Sequence, residues 1–292
     1  MNTFFEFTYR NQNYISFSNC RDGELLAYHY VPGDLQELLL KAQCDFARFK
    51  QLVIDSTAEQ HFPTTTAHER VLLPPLLPPG KSGAIVSGFG LTNRKKVLSS
   101  GAAVNPVPAW FYKGPGHVLK ADGETLMIEN GVTAICEEAE IVLIYIIDTQ
   151  NKPRYIGFTV GNDVTDIGAI KASPTAFSYA KLKECSISER VFLRPPPWVL
   201  TGKCSVYRNE QAVFSSDFET GIDQLYYRQE HLVDTLFRSP ALRQAGLVHY
   251  LYIGADRNSY DHGHSFIDGD TISLRFNELD LELSNRLLLQ GA

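Results

Sequence analysis

Apolar residues fall in short bursts separated by turn chemistry rather than in long helical stripes. Segments 84–86, 110–112, 140–147, 155–160, 248–253 and 271–276 are apolar, β-branched or aromatic and are bounded by Gly, Pro and Asn-Asp pairs. That pattern predicts a β-rich body. Residues 4–31 also read as strands, with Asn19-Cys20-Arg21-Asp22-Gly23 supplying turn chemistry for a first hairpin. Gly33-Asp34 then offers a cap before Leu35, Leu38, Leu39, Leu40, Phe46, Phe49 and Leu52, a spacing that fits one or two amphipathic helices. Further helical patterns are expected over about 174–183 and over 223–238, where Leu225, Leu232, Leu236 and Phe237 can share a face.

The stretch Leu72-Leu-Pro-Pro-Leu-Leu-Pro-Pro-Gly80 interrupts both periods. Each proline removes a backbone donor and disfavours helix in the residue before it. A boundary is expected there, giving a small N-terminal β-plus-helix unit over 1–80 and a larger mixed β-rich domain over 81–292. The fold class is α+β. Among 292 residues, 44% are hydrophobic and 21% charged, which excludes a disordered or collagen-like chain. A net charge of −6 argues against nucleic acid as the main partner. The longest apolar run, 141–147, is far short of the roughly 20 residues that span a bilayer. No secretory pattern opens the chain, so no membrane and a cytoplasmic location are expected. The five cysteines, Cys20, Cys44, Cys136, Cys185 and Cys204, are odd in number and scattered, which fits reduced packing residues.

Candidate chemistry starts at Cys136-Glu137-Glu138-Ala139-Glu140, which runs directly into the apolar segment. Residues two apart in a strand share a face, so Glu138 and Glu140 converge. Two adjacent carboxylates repel unless a proton or cation lies between them, and Mg²⁺ prefers carboxylate oxygens. A polar strand start facing water is the plainer alternative. After the turn Gln150-Asn151-Lys152-Pro153, the chain returns antiparallel and ends in Gly161-Asn162-Asp163. Its carboxylate can rejoin the pair, although Asn-Asp is also an ordinary turn.

Glu138-Ala-Glu140 before an apolar strand, Gly157-Phe-Thr-Val-Gly-Asn-Asp163-Val, and Gly269-Asp270-Thr-Ile-Ser-Leu resemble the fumarylacetoacetate hydrolase family in order and spacing. Phe111-Tyr112-Lys113-Gly114, Ser178-Tyr-Ala-Lys181-Leu-Lys-Glu-Cys-Ser186 and Gly88-Phe-Gly-Leu-Thr-Asn93 further resemble its bacterial sugar-acid branch, which includes 2-keto-3-deoxy-pentonate dehydratase-like members. The resemblance covers roughly residues 80–285. It implies Mg²⁺ or Mn²⁺ on Glu138, Glu140 and Asp163, an active-site Lys181, a substrate-lining Tyr112 and Lys113, and a homodimer. The implied reaction is dehydration of a 2-keto-3-deoxy sugar acid through a metal-stabilised enolate. Carbon–carbon hydrolysis of a 2,4-diketo acid is the alternative, and a non-catalytic sugar-acid-binding protein a third reading.

One departure stands out. The sugar-acid branch typically reads Gly-Leu-Thr-His where this chain has Asn93, and an amide cannot take a proton at neutral pH. Other features carry less. Ser87-Gly88-Phe-Gly90 lacks the third glycine of a dinucleotide fingerprint. Asp261-His262-Gly263-His264 lacks further ligands in sequence and reads as a surface turn. Glu230-His231 can face either a cleft or the solvent.

Overall fold

The computed structural model describes residues 2–17, 20–21, 23–99 and 107–291. A long mixed sheet organises it. Its middle strands run in the spatial order Gln12–Ser16, Thr3–Tyr9, Arg190–Phe192, Pro153–Asn162, Ala139–Ile147, Val248–Tyr252, Ala84–Gly90 and Ala109–Pro115. All neighbours on this path are antiparallel except Val248–Tyr252 against Ala84–Gly90. A second sheet, ordered Thr125–Ile128, Leu281–Leu289, Thr271–Phe276, Leu200–Arg208 and Gln211–Thr220, packs on one face.

The strand Ala139–Ile147 explains why its sequence is continuously apolar instead of alternating. Ile141, Leu143, Tyr145 and Ile147 enter the core shared with the second sheet, among Leu200, Ile272, Leu274 and Phe276. Val142, Ile144 and Ile146 enter the opposite core, under the helices Asp34–Lys41 and Phe46–Ser56, beside Leu35, Leu39, Phe49 and Val53. Both faces are therefore buried. Truncating one such side chain, as in Ile144→Ala, costs about 2–5 kcal/mol in a core of this kind.

Of the one or two helices expected after Gly33, two form, the second capped by the Asp45 carboxylate accepting from the Arg48 backbone N–H at 2.8 Å. The N-terminal strands differ from the expected single hairpin. Thr3–Tyr9, Gln12–Ser16 and Glu24–Tyr30 form a meander whose first turn is Arg10-Asn11. Both turn residues have positive φ, 49° and 61°, as a tight two-residue hairpin turn requires. Within the turn expected at 19–23, Asn19 and Asp22 lie outside the described residues. The proline-rich stretch begins as a strand, Val71–Leu73, paired to Thr3–Tyr9.

The two later helices are shorter than their periodicity predicts. Residues 174–183 resolve into a 3₁₀ turn, Pro174–Ala176, and a helix, Phe177–Lys181. Only Gln229–Leu236 of 223–238 is α-helical. Residues before it are held by tertiary bonds instead: the Tyr226 N–H donates to the Thr92 carbonyl at 2.7 Å, and Leu225 bridges Asn93. Among the described residues, no helix is long and apolar enough to cross a membrane.

Candidate active site

The antiparallel register places Glu140 opposite Gly161, and the ladder continues past the strand end as the Asp163 N–H donates to the Glu138 carbonyl at 2.9 Å. Glu138, Glu140 and Asp163 thereby offer carboxylate oxygens that all lie within 4.8 Å of one another. Close approach here depends on Gly161, where a Cβ would sit 2.6 Å from the Ser186 carbonyl and 2.8 Å from the Tyr252 ring. A side chain there would push two neighbouring strands away from the cluster.

Lys181 ends the helix Phe177–Lys181, and its Nζ donates to Glu138 Oε2 at 2.6 Å and to Asp163 Oδ2 at 2.5 Å. The same ammonium stands 4.4 Å from the centroid of the buried Phe111 ring, whose electron-rich face favours a cation. Burial alone would favour a neutral amine. Asp163, Glu138 and Glu140 outweigh it and push the Lys181 pKa up, so the group stays an ammonium. Burial likewise opposes ionisation of Asp163, but Lys113 and Lys181 overcome it and hold its carboxyl below the usual range. Glu140 lacks a direct ammonium contact. Burial first, then repulsion from Asp163 and Glu138, drives its pKa well above the ordinary carboxylate value.

The Glu140 carboxylate accepts instead from the Gly254 N–H, at 2.6 Å. Gly254 has φ +119°, and a Cβ there would stand 1.8 Å from Thr92 Oγ1, so only glycine lets this backbone reach the carboxylate.

Lys113 is wholly buried behind the cluster rather than on the cavity wall. Its three ammonium protons meet three acceptors: Asp163 Oδ1 at 2.6 Å, the Val164 carbonyl at 2.8 Å and the Lys181 carbonyl at 3.1 Å. No donor remains for another molecule. Tyr112, its neighbour on the strand, points to the other side and is 38% exposed. Neither side chain lines the cavity.

That cavity, of about 690 Å³, opens over Glu138, Glu140 and Lys181. Its walls are largely apolar, with Leu91, Ile167, Ile170 and Phe177 among them. Asn93 lines it and is almost fully buried; its Oδ1 accepts from the Lys96 backbone N–H at 3.2 Å, which leaves the Nδ2 donors free. Asp261 also reaches the cavity but is engaged by Lys171 at 3.2 Å and by Asn258. His264 packs on Phe214 and Phe266, and His231 stacks on Tyr227; neither lines the cavity, nor does Glu230.

Three participants carry no motif. Thr165 donates its hydroxyl to Glu138 Oε2 at 3.3 Å, a contact foreshadowed only by its position two residues after Asp163. Lys96 lines the mouth. Glu137, next to Glu138, faces away and ties down the loop bearing Asn258, accepting from the Ser259 N–H at 2.9 Å, from the Ser259 hydroxyl and from Cys204. Nothing in the order of residues connects Glu137 with Ser259.

A hard divalent cation fits this donor set. Three carboxylates face a single cavity-side ammonium, and oxygen donors of this type and number leave coordination positions for a ligand and water.

No family model and no curated protein matches the chain. Solved structures do. One is described as the apo form of 2-keto-3-deoxy-D-arabinonate dehydratase, with TM-score 0.71, 13% identity and coverage of 99% of this chain and 100% of that one. A second, of the dehydratase complexed with magnesium and 2,5-dioxopentanoate, has TM-score 0.70 at the same identity and coverage. A third, 5-carboxymethyl-2-hydroxymuconate delta-isomerase from Mycobacterium smegmatis, has TM-score 0.67 and 14% identity, with 99% and 100% covered. At such identities the likeness is one of architecture, and in architecture the chain is fumarylacetoacetate-hydrolase-like, as its sequence motifs imply.

Proposed function

We propose that the cavity binds a 2-keto acid on a divalent cation, Mg²⁺ in the first instance, and eliminates water from a 2-keto-3-deoxy sugar acid. Glu138, Glu140 and Asp163 would hold the cation. When bound, it supplies Lewis acidity, which makes the carbon beside the keto group more acidic. The observation that carries the reading is the convergence of three carboxylates and one ammonium, of which Glu138, Glu140 and Lys181 line an otherwise largely apolar cavity.

The carboxylates hold Lys181 as an ammonium; sharing them with a cation would loosen that hold, so Lys181 can serve as a cation or as a proton shuttle. Its Nζ can steady an anionic substrate group or give its proton to a departing hydroxyl. Lys113 is a positioning residue that fixes Asp163 and the Lys181 backbone together. Both reactions need a base at the cavity, hydrolysis to activate water and elimination to take the proton from the carbon beside the keto group. Among the described residues lining the cavity there is no histidine, and Asn93 cannot serve as a base, so that proton would pass to Lys181 or to one of the carboxylates. The neighbours support the choice of elimination at the level of fold, since one is a dehydratase complexed with magnesium.

The apolar walls favour a second reading, hydrolysis of a 2,4-diketo acid, because they suit a chain with fewer hydroxyls to satisfy. Products decide between the two. Elimination keeps the carbon chain whole, whereas hydrolysis releases pyruvate, which coupling to lactate dehydrogenase detects. With either substrate class, Lys181→Met is expected to lower kcat by about a hundredfold or more while the protein still folds. Turnover unchanged in that variant removes Lys181 from the chemistry, and calorimetric Mg²⁺ binding that survives Glu140→Ala at full strength removes the metal site.

A further inference from the structure

Among the described residues, each ammonium on the cavity wall is paired with a carboxylate except in one place. On the floor, Lys181 is held by Glu138 and Asp163. On one side, Lys171 pairs with Asp261. At the mouth, Lys96 projects from the short helix Arg94–Ser99, is only partly exposed, and has no carboxylate within ion-pair distance among the described residues. Leu91, Ile167, Ile170 and Phe177 also line the cavity. Apolar walls screen a charge poorly, so the field of an unmatched ammonium reaches along the cavity. The volume, about 690 Å³, also exceeds what a three-carbon keto-acid head can fill.

We propose that Lys96 recognises a second carboxylate at the far end of the substrate, which makes the preferred substrate a 2-keto-3-deoxy dicarboxylic acid rather than a neutral-ended one. The proposal rests on the 2-keto acid reading above and narrows it. A substrate charged at both ends and placed with its keto acid on the floor brings its distal carboxylate toward the only cavity-facing cation not already neutralised among the described residues. Asn93, one helical turn before Lys96 and neutral, leaves that charge uncontested. Lys171 is the weaker candidate because Asp261 already takes its charge.

Unreactive probes separate the two ends. Pyruvate tests the floor alone. Pairs of equal chain length, 2-oxoglutarate against 2-oxovalerate and 2-oxoadipate against 2-oxohexanoate, test the mouth, because each pair differs only in the terminal group. Calorimetric titration of the Mg²⁺-loaded protein is expected to show at least one dicarboxylate binding roughly tenfold tighter than its partner, the usual scale of a charge-assisted contact. In Lys96→Gln that preference should vanish while pyruvate affinity stays unchanged, and Lys96→Arg should restore it. Lys171→Gln should retain it. Equal affinities within every pair for the wild type, or a preference that persists in Lys96→Gln, overturns the proposal and leaves the 2-keto acid reading standing if pyruvate binds. Failure of pyruvate to bind overturns that reading and the proposal together.

Discussion

Glu6 and the cluster around Asp163 are both buried carboxylate sites, yet they solve burial differently. Glu6 lies in the N-terminal meander, accepting from the Tyr30 hydroxyl at 2.6 Å and the Leu76 N–H at 2.7 Å, with no cation beside it among the described residues. Desolvation dominates there, and its pKa is pushed up to about 7. Asp163 has two ammonium groups within 2.6 Å and stays ionised. An isolated buried carboxyl lowers its cost by taking up a proton, whereas a cluster with cations keeps charge and field. The first arrangement ties a meander to the proline-rich stretch. The second stores charge beside an opening, which is what chemistry on an anionic substrate requires.

The largest test removes a cation. Lys113→Met leaves Asp163 with one ammonium in a sealed site, and breaking a buried pair in this way costs about 3–5 kcal/mol. Urea unfolding of variant and wild type measures it; a loss below about 1 kcal/mol would mean that Lys181 alone suffices for Asp163 and would undo the contrast with Glu6.

The next test uses pH. Below the unfolded value near 4.5, both states of Glu6 hold the proton and its contribution is fully present. As pH rises toward 7, the unfolded chain ionises while the folded one keeps its proton, so stability falls by about 1.4 kcal/mol per pH unit, about 3 kcal/mol in all. Glu6→Gln should remove that fall, because its amide does not titrate. Unfolding free energies at pH 5 and pH 8 for both proteins give the difference; parallel pH dependences would show that Glu6 is ionised in the folded state.

The smallest effect belongs to Lys171→Ala. Its pair with Asp261 is 56% and 42% exposed, and such pairs contribute less than about 1 kcal/mol. A larger loss on urea unfolding would extend the buried-cation behaviour to the cavity rim.

How much of this was legible in the sequence varies with the range of the interaction. Glu138, Glu140 and Asp163 could be read because a two-residue strand period and one antiparallel return bring them together locally. The burial of 141–147 on both faces was visible as an uninterrupted apolar run. Lys113, by contrast, reads in sequence as part of a substrate-lining motif, and only the meeting of its strand with residues 50 and 68 positions away reveals three internal acceptors. The helical period over 223–238 misled for a similar reason, since bonds from Tyr226 and Leu225 to the Thr92-Asn93 segment override it. Glu137 and Ser259, 122 residues apart, could not have been paired from sequence at all.

The ammonium of Lys181 between Glu138 and Asp163 also bears on how the molecule comes into being. In small metal-assembled domains the ligands repel or stay solvated until the ion arrives, and the ion is the nucleus of the fold. Here a covalently attached cation is delivered by the chain itself, on a helix that ends 18 residues after Asp163. The polypeptide therefore carries its own counter-ion for these carboxylates, and forming this part of the core requires none from its surroundings.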